Sequence, residues 1–109
     1  MVSPGSAATN DGGGERLEVT VRGRVQGVGF RVFVAREAWR RGLTGWVRND
    51  ADGALRVVAE GPVGDLDGLL EALQHGPPGA VVRDVQATRG PAVGLPPTFE
   101  IRPGGHGGD

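Results

Sequence analysis

In residues 17–41, LEVTVRGRVQGVGFRVFVAREAWRR, the hydrophobic period changes from that of a strand to that of a helix. Leu17, Val19 and Val21 alternate with Glu18 and Thr20, so three apolar side chains share one face of a strand buried on one side. Gly23 and the run Gln26-Gly27-Val28-Gly29 interrupt the alternation. Phe30, Phe33, Val34 and Ala38 then recur at helical spacing, and Gly42 follows where a left-handed cap ends a helix. The order is strand, glycine loop, helix.

The elements on the C-terminal side extend this order. Residues 44–49 read as a second strand, and the turn residues Asn49-Asp50-Ala51-Asp52-Gly53 lead into a third over 55–60 as a hairpin. Leu66, Leu69, Leu70 and Leu73 form the apolar stripe of a second helix, weakened by Gly64 and Gly68 and ended by Gly76-Pro77-Pro78-Gly79. Residues 81–88 are a fourth strand, and 98–102, with Phe99 and Ile101 on one face, a short fifth. One-sided strands favour two helices on one face of a mostly antiparallel sheet over a doubly wound parallel sheet. The expected fold is α+β: a ferredoxin-like βαββαβ sandwich with a short C-terminal fifth strand.

Composition narrows the chemistry. The chain has 109 residues, enough for one domain, and 8 of its 21 glycines fall within residues 1–14 and 103–109. Residues 1–14 and 103–109 are expected to be disordered tails around a domain at 15–102. With no cysteine, disulfides, thiolate metal sites and cysteine nucleophiles are excluded. All 12 basic residues are arginine, so a Walker lysine, a Schiff base and a lysine general base are excluded as well. A net charge of −1 provides no general attraction for nucleic acid, so any anion site must be local. Neither a signal peptide nor a membrane span is expected, and the default is a soluble cytoplasmic protein.

A glycine loop that runs straight into a helix is a device for holding an anion. Gly27 and Gly29 can take positive φ, which lets successive N–H groups converge, and the helix start at Phe30 adds its own free N–H groups. Arg31 stands beside this loop with a planar fork of donors suited to two phosphoryl oxygens. As a surface arginine in a first helical turn, it is expected to contribute no more than about 0.5 kcal/mol to stability. A dinucleotide fingerprint fails, because position 32 is valine where the third glycine belongs.

The run Gly23-Arg24-Val25-Gln26-Gly27-Val28-Gly29-Phe30-Arg31 resembles the first acylphosphatase signature, G-x-V-Q-G-V-x-[FY]-R. Gly45-Trp46-Val47-Arg48-Asn49-Asp50-Ala51-Asp52-Gly53 is similar to the second, G-W-V-x-N-x-x-D-G. The resemblance extends over about residues 16–102 and implies a ferredoxin-like sandwich that hydrolyses acyl phosphates without metal or cofactor. It implies that Arg31 binds phosphoryl oxygens, that Asn49 orients the attacking water, and that the backbone N–H groups of Gln26, Gly27, Val28, Gly29 and Phe30 complete the cradle. The implied partners are a small acyl phosphate and phosphate, without nucleic acid or membrane, and the chain is expected to be monomeric.

Several residues depart from the pattern or lie outside it. Leu55 replaces the family's more frequent valine, a neutral change in a core strand. Asp50 adds a carboxylate next to Asn49, which near a dianionic phosphoryl group would weaken binding. Trp39 lies on the polar side of the first helix without an assigned role, and Trp46 is expected on the open face of the sheet as a flat shield. His75 reads as a helix-end cap, His106 as part of the tail, and Asp52-Gly53 as turn chemistry and not a metal pair.

So few chemical groups suit this reaction. A carboxylate leaving group, whose acid has a pKa of about 4, departs without a proton, so no strong general acid is required. What remains is to bind oxygens, stabilise a loose transition state and place a water. Two competing functions remain. One is a non-catalytic anion or carbamoyl-phosphate module of the same fold, as at the start of hydrogenase maturation factors, against which the short flanks count. The other is RNA binding on the open sheet face, which two Trp, three Phe and no Tyr support poorly.

Overall fold

The computed structural model describes residues 14–104. Within them lie β1 (Glu15–Arg24), α1 (Phe30–Arg40), β2 (Thr44–Asn49), β3 (Leu55–Gly61), α2 (Val63–His75), β4 (Val81–Pro91) and β5 (Phe99–Ile101). Most of the two tails, with His106, falls outside the described residues. The sheet order is β4-β1-β3-β2-β5, antiparallel throughout except for the parallel pairing of β5 with β2. This is the expected ferredoxin-like sandwich with its fifth strand at one edge.

Alternation places the core. Leu17, Val19 and Val21 of β1, Val47 of β2 and Leu55, Val57 and Ala59 of β3 are buried against Phe30, Val34, Ala35 and Ala38 of α1 and Leu66, Leu69 and Leu73 of α2. Phe33 packs at the margin of this cluster, its ring edge-on to that of Phe30 at 5.8 Å. Gly68 weakens α2 intrinsically, yet the Arg41 side chain, at the C-cap of α1, lies over it. A Cβ there would stand 2.1 Å from the Arg41 guanidinium.

One feature departs from the one-sided pattern. Val58 and Glu60 of β3 point away from the helices but are also buried, at 1% and 5% exposure. The connection from β4 to β5 folds back over that face and is held by the Glu60 carboxylate. This carboxylate accepts hydrogen bonds from the N–H groups of Val93 (2.9 Å), Gly94 (3.0 Å) and Leu95 (3.3 Å). Arg16 adds an ion pair at 3.2 Å. Burial alone would push the Glu60 carboxyl up, but these N–H donors and the guanidinium together hold it below the ordinary carboxylate range. Among the described residues, no helix is long and apolar enough to cross a membrane.

Candidate active site

The loop after β1 enters α1 through two left-handed residues, Gly27 at φ 75° and Gly29 at φ 76°. Neither has an atom within 4 Å of where a Cβ would lie, so backbone conformation and not space requires glycine here. Gly29 caps α1 without a side-chain hydrogen bond, and the first turn carries no acidic residue. The positive end of the helix is thus directed into the loop without a built-in counter-charge from its own first turn.

Gln26 joins this loop to the turn after β2. Its side-chain Nε2 donates to the carbonyls of Asp50 (2.9 Å) and Ala54 (3.2 Å). The turn closes through Asp50 N–H to the Ala54 carbonyl at 2.8 Å and Ala54 N–H to Asp52 Oδ1 at 3.0 Å. The Ala54 N–H first, and then the Arg22 guanidinium, hold the Asp52 carboxyl below its ordinary range, so Asp52 serves the turn. Asn49, the last residue of β2, is 2% exposed on the helix side of the sheet, and the Gln26 bridge fixes it relative to the glycine loop.

These parts converge on one cavity of about 100 Å³, lined by Val25, Gly27, Gly29, Phe30, Arg31, Val32, Asn49 and Ile101. Arg31 and Asn49, 18 positions apart in sequence, therefore face the same small space. Phe30 contributes as a core residue at the helix start. Gln26 and Val28 flank the cavity: the Gln26 side chain is committed to the bridge, and Val28 packs against the core. Arg31 Nη1 donates to the backbone carbonyl of Arg102, just beyond β5. That tie makes Arg31 more than the free surface arginine its position in the helix implies.

Other residues gain roles that local sequence does not reveal. Trp39 donates from Nε1 to the Phe99 carbonyl at 2.9 Å, pinning β5 to α1. Trp46 lies on the face away from the helices, with the guanidinium groups of Arg48 and Arg102 5.0 Å and 4.8 Å from its ring centre. Arg102 N–H donates to the Val47 carbonyl at 2.8 Å, so the segment carrying the Arg31 acceptor is held from several sides. The Asp50 carboxylate accepts from Arg48 Nε at 2.9 Å. His75 bonds the Glu71 carbonyl at the end of α2 through Nδ1, at 3.0 Å. Among the described residues, no three His, Asp or Glu side chains are grouped as a metal site.

The family model described as acylphosphatase matches residues 17–101. An acylphosphatase of Synechococcus sp. (strain JA-2-3B'a(2-13)) is 47% identical over 88 residues, covering 81% of this chain and 93% of that protein. The crystal structure of acylphosphatase from Bacillus subtilis aligns with a TM-score of 0.78 at 41% identity, covering 81% of this chain and 98% of that one. Full-length HypF in its phosphate- and nucleotide-bound form aligns with a TM-score of 0.74 at 27% identity, over 83% of this chain and 12% of that one. The glycine loop, the arginine that follows it and the buried asparagine thus lie within a match spanning nearly the whole described fold, and this chain belongs to the acylphosphatase family.

Proposed function

We propose that the loop of residues 26–30, Arg31 and Asn49 carry out the acyl phosphate hydrolysis that family membership gives this enzyme. The observation carrying this assignment is that Gly27, Gly29, Arg31 and Asn49 line one cavity of about 100 Å³. Backbone N–H groups at Gly27 to Phe30 and the guanidinium of Arg31 hold the phosphoryl oxygens as charge spreads over them in a loose transition state. Asn49 offers both a carbonyl acceptor and an amide donor to a water, and its burial at the end of β2 fixes that water's direction.

The water oxygen forms a bond to phosphorus while the bond from phosphorus to the acyl oxygen breaks. The electron pair leaves with the carboxylate, and both water protons remain initially with the new phosphate: a dianionic acyl phosphate and water give a carboxylate and dihydrogen phosphate. No proton is delivered to the leaving group. We read a single copy of the chain as the working unit.

The alternative, an anion-holding module without turnover, makes a different forecast for the same assay. Purified protein with acetyl phosphate is expected to release inorganic phosphate and acetate in equal amounts, and to leave an alkyl phosphate ester intact. Saturable phosphate binding without release from acetyl phosphate would overturn the catalytic reading in favour of the module.

A further inference from the structure

The cavity has two parts of different character. Its floor is formed by Val25, Phe30 and Asn49, exposed by 1%, 1% and 2%. Two other lining residues are Val32, 44% exposed on the first turn of α1, and Ile101, 39% exposed at the end of β5. Both stand among the few large apolar side chains the described residues leave open to solvent, and they border the same space as Arg31. Scattered exposed hydrophobics require no explanation, but two from distant parts of the chain at one polar cavity form a local apolar rim.

Size determines what that rim meets. About 100 Å³ is far below the roughly 300–1,000 Å³ of pockets that enclose a drug-sized ligand. With the phosphoryl group held by the glycine loop and Arg31, little enclosed space remains, and the acyl group must occupy the mouth. There, Val32 and Ile101 present aliphatic surface, while the only charged side chain in the lining, among the described residues, is Arg31 itself.

We infer that Val32 and Ile101 form an acyl-group subsite, which gives the enzyme a preference for acyl phosphates with an apolar acyl body. The inference rests on the proposed function, because it takes the phosphoryl group to occupy the loop. The rim is open on one side, so the preference is moderate: partial burial of an aromatic ring against two aliphatic side chains gives about threefold to tenfold in kcat/KM. Val32 and Ile101 are specificity residues in this scheme and take no part in bond making.

The test compares kcat/KM for benzoyl phosphate and acetyl phosphate in the parent, Val32→Ser, Ile101→Ser and Val32→Phe proteins. Using the ratio of the two substrates cancels their intrinsic reactivities and any shared loss of folded protein. The benzoyl-to-acetyl ratio should fall about threefold to tenfold in each serine variant and rise a few-fold in Val32→Phe. A rise cannot come from misfolding, so the phenylalanine variant keeps the test decisive if Ile101→Ser proves unstable. A ratio unchanged in all three variants would overturn the acyl subsite and leave the proposed function standing. Failure of the parent to hydrolyse either compound would overturn the function, and the inference with it.

Discussion

One place in this fold holds an anion with backbone N–H groups and one arginine, and at a second, in the reading proposed above, the same kinds of group await an anion from solution. At the β4–β5 connection, Val93, Gly94 and Leu95 direct successive N–H groups at the Glu60 carboxylate, with Arg16 alongside. At the other, the glycine loop and Arg31 border a cavity whose lining, among the described residues, includes no acidic side chain. The first is completed within the chain and serves stability, because buried carboxylate and donors satisfy each other. The second uses the same chemistry toward solvent, where a ligand can supply the charge. In a chain with no lysine, the Glu60 site shows that backbone and arginine suffice to hold an anion.

Breaking the open site should have the largest effect. Arg31→Lys keeps the charge but loses the planar fork, and kcat/KM for acetyl phosphate is expected to fall roughly a thousandfold, with inhibition by phosphate lost. The bond from Arg31 to the Arg102 carbonyl adds a stability cost of about 1 kcal/mol, read by urea unfolding. This exceeds the figure that a first-turn surface arginine would suggest. Next is Asn49→Ala, expected to lower kcat roughly a hundredfold while phosphate still inhibits at similar concentration, since the role proposed for the amide is to direct water and not to grip the ground state. An effect confined to KM would remove Asn49 from that role.

Breaking the closed site should do the reverse. Glu60→Gln is expected to cost about 2 kcal/mol of stability while turnover of the folded enzyme stays within about twofold. Acid should expose the same contrast. Because the folded Glu60 carboxyl lies below its ordinary value, its stabilisation is fully present above the unfolded value of about 4.5 and is lost as pH falls through the depressed one. The slope of melting temperature against pH below about 4.5 should therefore be shallower in Glu60→Gln than in the parent. The smallest effect is expected from chelation: dialysis against EDTA should leave acetyl phosphate turnover as it was, and recovery of a lost activity by zinc or magnesium would contradict that.

The contrast also explains what local sequence reveals. The strands and helices follow from side-chain period, because Leu17, Val19 and Val21 on β1 and Leu66, Leu69 and Leu73 on α2 need only their own spacing to mark a face. The glycine loop and Arg31 are contiguous, so their juxtaposition is built into the chain, and Asn49 enters through a second motif in the next hairpin. The burial of Val58 and Glu60 on the far face of β3 follows no period of that strand. At Glu60 it goes with a connection more than 30 residues away that folds back onto the carboxylate. The Trp39 bond to Phe99 and the Arg31 bond to Arg102 likewise use backbone carbonyls, which carry no residue identity for a sequence pattern to register. Ile101 reads as a face-sharing partner of Phe99, and only the meeting of β5 with the loop puts it on the cavity.

The central claim is that the chain acts on the phosphoryl end of its substrate, with water directed at phosphorus. Hydrolysis of acetyl phosphate in oxygen-18 water under single-turnover conditions tests it most directly, with the two products separated and weighed by mass spectrometry. Attack at phosphorus places the label in inorganic phosphate and leaves the acetate unlabelled. Label in the acetate would mean attack at the carbonyl carbon, and would contradict the roles assigned to Arg31, Asn49 and the glycine loop together.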